Sequence, residues 1–160
     1  MALLPPHLVH LAVRWVHVLG MATLLGGAVL LWGRLHAASA PANTVASEAT
    51  AAPLRLAATY EWLFWAGAGL LVLTGVGNLG AMAPAIPGPA TGWGRTFSVK
   101  LVVVVGLLVG SMVRTLGVVE LCARASRPGV PSFDRLRFAY AATAVYLLLV
   151  VALAEVLAHG

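Results

Sequence analysis

Four long apolar stretches dominate this sequence, and each is long enough to cross a lipid bilayer, which takes roughly 20 residues of helix. They lie at about residues 8–32, 60–82, 97–121 and 138–157. A chain in contact with lipid must satisfy its own backbone hydrogen bonds, so such stretches are helices or strands of a closed barrel. The alternating pattern of a barrel strand is absent, and the expected fold is all-α, an integral membrane four-helix bundle. Spans and connections use up nearly all of the 160 residues, so a single four-span domain, 1–160, is expected. With 61% of the residues apolar and 9% charged, the chain has about a third of the charge of a typical soluble domain. An ordinary soluble fold is thereby excluded.

The net charge of +5 is not a nucleic-acid signature, because the basic residues are scattered and sit mostly between or beside the apolar stretches. Positive charge in those places orients membrane helices. The first connection holds Arg34 and Arg55, and the third holds Arg124, Arg127, Arg135 and Arg137. The second connection and both termini hold only Arg95, with Lys100 nearby. This bias puts the first and third connections in the cytoplasm and both termini outside, in a cytoplasmic membrane whose lipid bilayer is the first partner. Ala38-Ser39-Ala40 resembles a signal cleavage site. However, no Lys or Arg precedes the first span, the span is too long for a signal core, and Pro41 follows the cut. Pro53 suits the first turn of the second helix, and the three prolines and three glycines of residues 83–94 predict a turn-rich cap.

On the first span His10, Arg14 and His17 are spaced four and three apart and share one helix face, which Met21 continues. His17 lies about nine residues, roughly 13 Å, inside the outer end of its span. Its imidazole therefore needs a partner, either a carbonyl or hydroxyl of a neighbouring helix or a haem or metal. His10 is about 10 Å away along the axis, too far to share one ion, so two ligands here would belong to two centres. A b-type haem needs an axial imidazole, a slot beside small residues and cations for its propionates. His17, Gly20 or Gly27, and Arg14 with Lys100 supply those parts in the outer half. The other three spans contain no histidine, so no second axial ligand is evident. Copper is the alternative cofactor, with His10 and His17 as candidate metal ligands, but the four methionines form no close pair and Cys122 stands alone.

The remaining membrane charges are expected to pair, because an isolated charge in a bilayer is costly. Glu155 is level with Arg14 and Lys100, and Glu61 is level with Arg114 toward the cytoplasm. Gly26, Gly67, Gly69, Gly75, Gly77, Gly106 and Gly110 are expected at close helix contacts, and the five tryptophans at the membrane interfaces. No phosphate loop, zinc-spaced Cys/His set or nucleophile with its base is present, which excludes hydrolase and kinase chemistry.

Taken in order, four segments resemble the membrane domain of the copper-resistance protein D family (CopD-like). They are Arg14-Trp15-Val16-His17-Val18-Leu19-Gly20 followed by Gly26-Gly27, then Thr74-Gly75-Val76-Gly77-Asn78, then Thr91-Gly92-Trp93-Gly94-Arg95-Thr96 before Lys100-Leu101, and finally Arg114. That resemblance implies copper handling. More distantly, the first-span histidine and third-span lysine resemble the haem-binding HemJ-type protoporphyrinogen oxidases, which implies a haem role for His17 and Lys100. The chain has Phe138-Ala139-Tyr140 where that family opens its last span with Asn-Glu-Pro. The expected function is a b-type haem-binding or redox-linked membrane protein with its site in the outer half. The alternatives are a copper transport or tolerance protein and a structural membrane subunit of a respiratory or photosynthetic complex. Other membrane subunits, or a redox partner on the outer face, are the protein partners these readings imply.

The charge bias makes the orientation testable. A cysteine placed at Ser47 should resist an impermeant thiol reagent in intact cells and react after the membrane is opened, and labelling in intact cells would invert the topology.

Overall fold

The computed structural model describes residues 5–38, 46–82, 87–124 and 133–159. All regular structure among them is helical: α1 (Pro6–Ala38), α2 (Ala46–Met82), α3 (Gly92–Arg124) and α4 (Asp134–His159). Each helix contains a stretch long and apolar enough to cross a membrane, so this is an integral membrane four-helix bundle. Residues 39–45 of the first connection, 125–132 of the third and 83–86 of the expected cap lie outside the described residues.

Hydrogen bonds between distant residues give the direction of the helices. The Trp93 indole N–H at the start of α3 donates to the Leu157 carbonyl at the end of α4, at 3.3 Å. His36 at the end of α1 lies 3.3 Å from the Arg137 guanidinium at the start of α4. Successive helices therefore run antiparallel. One end of the bundle carries the start of α1 and the end of α4, and will be called the terminal half; the other carries the first and third connections. α1 packs against α2 and α4, and α3 against α4, whereas α2 and α3 are the most sparsely packed of the neighbouring pairs.

At 33, 37 and 33 residues, the first three helices exceed what a hydrocarbon core of about 30 Å requires, and they overrun the spans expected from hydropathy. The reason is plainest in α2, which begins at Ala46 and places Pro53 inside the helix, not in its first turn. The alanine-rich segment before Pro53 favours helix, and the one carbonyl left without its N–H partner lies near the helix end, within reach of water. α3 starts where Thr91 caps it. The Thr91 hydroxyl accepts from the Gly94 N–H at 3.1 Å and donates to the Gly88 carbonyl at 2.6 Å. A Cβ on Gly94 would stand 2.5 Å from that carbonyl oxygen, so this turn admits only glycine.

Burial is concentrated at one end. The core consists of Leu24, Ala28, Leu31 and Leu35 from α1, Leu54, Ala57, Tyr60 and Phe64 from α2, Leu107 and Val118 from α3, and Leu136, Tyr140, Ala144 and Leu147 from α4. Most lie toward the end that carries the first and third connections, with Leu107 and Leu147 near the middle of their helices. In the terminal half no described side chain of α1 before Leu24, or of α2 after Phe64, is buried.

Inside a bilayer apolar side chains gain nothing by leaving lipid for one another, so close approach and hydrogen bonds must hold helices together. Gly27 supplies such an approach: a Cβ there would collide with the Tyr60 ring, whose hydroxyl donates to the Leu24 carbonyl at 2.7 Å. Gly67 admits Leu24, Gly20 admits Leu71, and Gly106 faces Tyr146. By contrast Gly26, Gly69, Gly77 and Gly110 face open space, so the expected Gly106 and Gly110 pair is split between two environments. Gly27→Ala should destabilise the protein in detergent by about 1–3 kcal/mol, while Gly26→Ala should be neutral or stabilise by up to about 1 kcal/mol. Unfolding curves in micelles check the pair, and equal effects would remove the close contact at Gly27.

Candidate functional site

Two polar clusters lie inside the bundle, one in each half. In the closed half Arg114 and Glu61 meet as their matched depths predicted, with Nε of Arg114 2.8 Å from Oε1 of Glu61. Nη2 reaches Oε2 at 3.1 Å, which makes the pair bidentate. The carboxylate also accepts from the Tyr140 hydroxyl at 2.7 Å and from the Thr115 hydroxyl at 2.5 Å. The second terminal nitrogen of Arg114 donates to Thr143 at 2.5 Å and weakly to Ser111 at 3.4 Å. Four of the five guanidinium hydrogens and both carboxylate oxygens are thus engaged. The cation is only 2% exposed and lies 4.4, 5.4 and 5.0 Å from the ring centres of Phe64, Tyr60 and Tyr140. Aromatic faces lower the energy of a desolvated cation.

This cluster ties α2 to α3 and α4 where α2 and α3 otherwise barely meet. On its lipid side a groove of about 650 Å³ runs between α2 and α3, lined by Ala58, Trp62, Trp65, Val118 and Cys122, with Glu61 and Thr115 among its wall residues. The Trp65 indole donates to the Thr115 hydroxyl at 3.0 Å, so this tryptophan, expected as an interfacial anchor, bridges two helices. With its polar groups satisfied from within, the cluster is a clamp.

The terminal half holds the residues singled out for chemistry. The stripe His10, Arg14, His17, Met21 passes from exposed positions to the edge of the core: His10 and Arg14 are exposed, while His17 and Met21 are half-buried. His17 Nδ1 lies 2.7 Å from the Thr74 hydroxyl on α2, and that hydroxyl donates to the Leu70 carbonyl at 2.8 Å. Gly75 lies beside the imidazole, where a Cβ would be 3.7 Å from Cε1. Lys100 is half-buried on α3 and within electrostatic reach of His17. Neither Lys100 nor Arg14 makes an ion pair or hydrogen bond with a described residue.

Two sequence expectations are revised. Glu155 pairs with His159 one turn along its own helix, at 2.9 Å, and so leaves Arg14 and Lys100 without an acidic partner among the described residues; an i,i+4 partner on the same helix costs less to order than one on another helix. Gly20 and Gly27 are used in α1–α2 contact, where Leu71 and Tyr60 fill their space. His10 stands apart from His17, exposed near the start of α1. Among the described residues no three His, Cys, Asp or Glu side chains converge on a point that could hold a metal ion. The sequence places Thr74 and Gly75 in a family-like segment and Gly75 at a helix contact, but not beside His17, because only the rotation of α2 against α1 turns them toward the imidazole.

No family model, characterised protein or solved structure matches this chain.

Removing one partner of a buried ion pair leaves a bare charge and typically costs about 3–5 kcal/mol, whereas replacing both by apolar side chains is often close to neutral. Arg114→Met or Glu61→Leu alone should therefore destabilise the bundle by about that amount, and the double variant should recover most of the loss in a micelle unfolding cycle. Additive losses would show that the two residues act separately.

Proposed function

We propose that this protein binds a b-type haem in its terminal half, with His17 as the protein ligand and with electron transfer as its chemistry. The observation that carries the reading is the position of His17: a single imidazole held by α2, within reach of Lys100, in the half of the bundle whose α1 and α2 side chains are not buried. A bare metal ion needs several converging side chains. A porphyrin brings four nitrogen ligands of its own and needs one imidazole from the protein.

The donor set of this half fits the group. Arg14 and Lys100 supply two positive charges with no acidic partner among the described residues, since Glu155 is taken by His159. Two propionates would match them. Gly75 leaves the Cε1 edge of the imidazole free of a side chain. When bound, haem would supply a one-electron couple, and the chain's own residues would orient the ligand and balance the propionate charge. On the orientation that the positive-inside bias favours, the site lies toward the outer face of a cytoplasmic membrane, where a redox partner or a further membrane subunit would meet it.

An absorption spectrum of protein purified in detergent tests the reading. The expected result is a Soret band that His17→Ala abolishes. Arg14→Ala or Lys100→Ala should weaken haem affinity by up to about tenfold each without abolishing it. A full Soret band in His17→Ala would remove this histidine as the ligand. Copper copurifying in the absence of haem would instead support the copper-handling reading, and neither group would support a structural subunit.

A further inference from the structure

The contact between His17 and Thr74 has a direction. The Thr74 oxygen lies 2.7 Å from His17 Nδ1, 2.8 Å from the Leu70 carbonyl oxygen and 3.2 Å from the Leu71 carbonyl oxygen. A hydroxyl has one hydrogen, and a carbonyl can only accept. Donation back to the carbonyl four residues earlier is the usual habit of a helical threonine, and it satisfies the hydroxyl inside its own helix. With its hydrogen spent there, the oxygen presents lone pairs to the imidazole. At 2.7 Å that approach is attractive only if Nδ1 carries a hydrogen, because two facing lone pairs repel.

We infer that Thr74 is the positioning residue of this site: it holds His17 as the Nδ1–H tautomer and so leaves Nε2 as the nitrogen with a lone pair to offer. The next residue completes the arrangement. Cε1 lies between the two ring nitrogens, and Gly75 places no side chain beside it. α2 therefore supplies both the acceptor for the Nδ1–H hydrogen bond and a glycine, with no side chain of its own, beside Cε1. Fixing the tautomer and ring plane of a ligating histidine through its second nitrogen typically changes affinity by about 10–100-fold. That Nε2 binds haem iron rests on the function proposed above, whereas the tautomer itself does not.

The test separates the two claims. Protein with ¹⁵N-labelled histidine is examined by NMR in micelles without haem, at about pH 8, where an ordinary imidazole is neutral. The His17 signals are assigned by their loss in His17→Gln. Wild type should show protonated Nδ1 and unprotonated Nε2. Thr74→Val, which keeps the branched shape and removes the oxygen, should shift His17 toward the Nε2–H form, and Thr74→Ser should restore the wild-type pattern. In haem titrations Thr74→Val should lower affinity by about 10-fold or more and shift the iron–histidine stretching band, with serine rescuing both. An Nε2–H signal in the wild type, or an Nδ1–H signal unchanged in Thr74→Val, overturns the inference. An Nδ1–H signal that depends on Thr74 in a protein that takes up no haem upholds the tautomer and removes the haem reading alone.

Discussion

A guanidinium and a carboxylate buried between helices are held at 2.8 Å by a bundle that has no hydrophobic pressure to close it. Lipid tails are as apolar as leucine, so removing Leu31 or Leu147 from lipid gains little beyond packing. An unpaired Arg114 at that depth would cost several kcal/mol. Its partners on α2, α3 and α4 therefore set where those three helices can stand. Tyr60, placed by the same cluster through its ring, reaches α1, the one helix the cluster itself does not touch, at the Leu24 carbonyl, and Gly27 gives it room. Helix rotation, the α1–α2 contact and the bridge from Trp65 to Thr115 all follow from satisfying that one charge.

Anchoring one half of the bundle leaves the other free to be open. The closed half contains nearly every buried side chain, and its polar groups are engaged within the protein. The terminal half keeps two cations without an acidic partner among the described residues and an imidazole held by one edge. The fold is thereby secured independently of that half. The clamp supplies rigidity at one end, and the polar groups at the other are placed by helices that have already been fixed in rotation.

Particular residues show how far the sequence could be read. The Glu61–Arg114 pair was legible because in antiparallel spans depth follows from position along each helix, and two opposite charges at one depth have few other options. The four helices were legible for a similar reason, since bilayer thickness and backbone hydrogen bonding leave little choice. Their ends were less so: hydropathy stops at the headgroups, while an alanine-rich helix such as the start of α2 continues into water. Glu155 was misassigned because depth alone cannot tell a partner on another helix from His159 one turn away on the same one.

The sequence by itself determined an all-helical membrane bundle, the antiparallel order of its four helices, the depth of each charge and the candidacy of His17. Tertiary structure decided which faces meet. Depth is a one-dimensional quantity, read from rise per residue, but contact also requires the rotation of each helix about its axis. That rotation is set jointly by packing at Gly27 and Gly67 and by the demands of Arg114. Only once it was set did Thr74 and Gly75 come to face the imidazole, Gly20 and Gly27 turn to helix packing, and Arg14 and Lys100 remain without an acidic partner among the described residues.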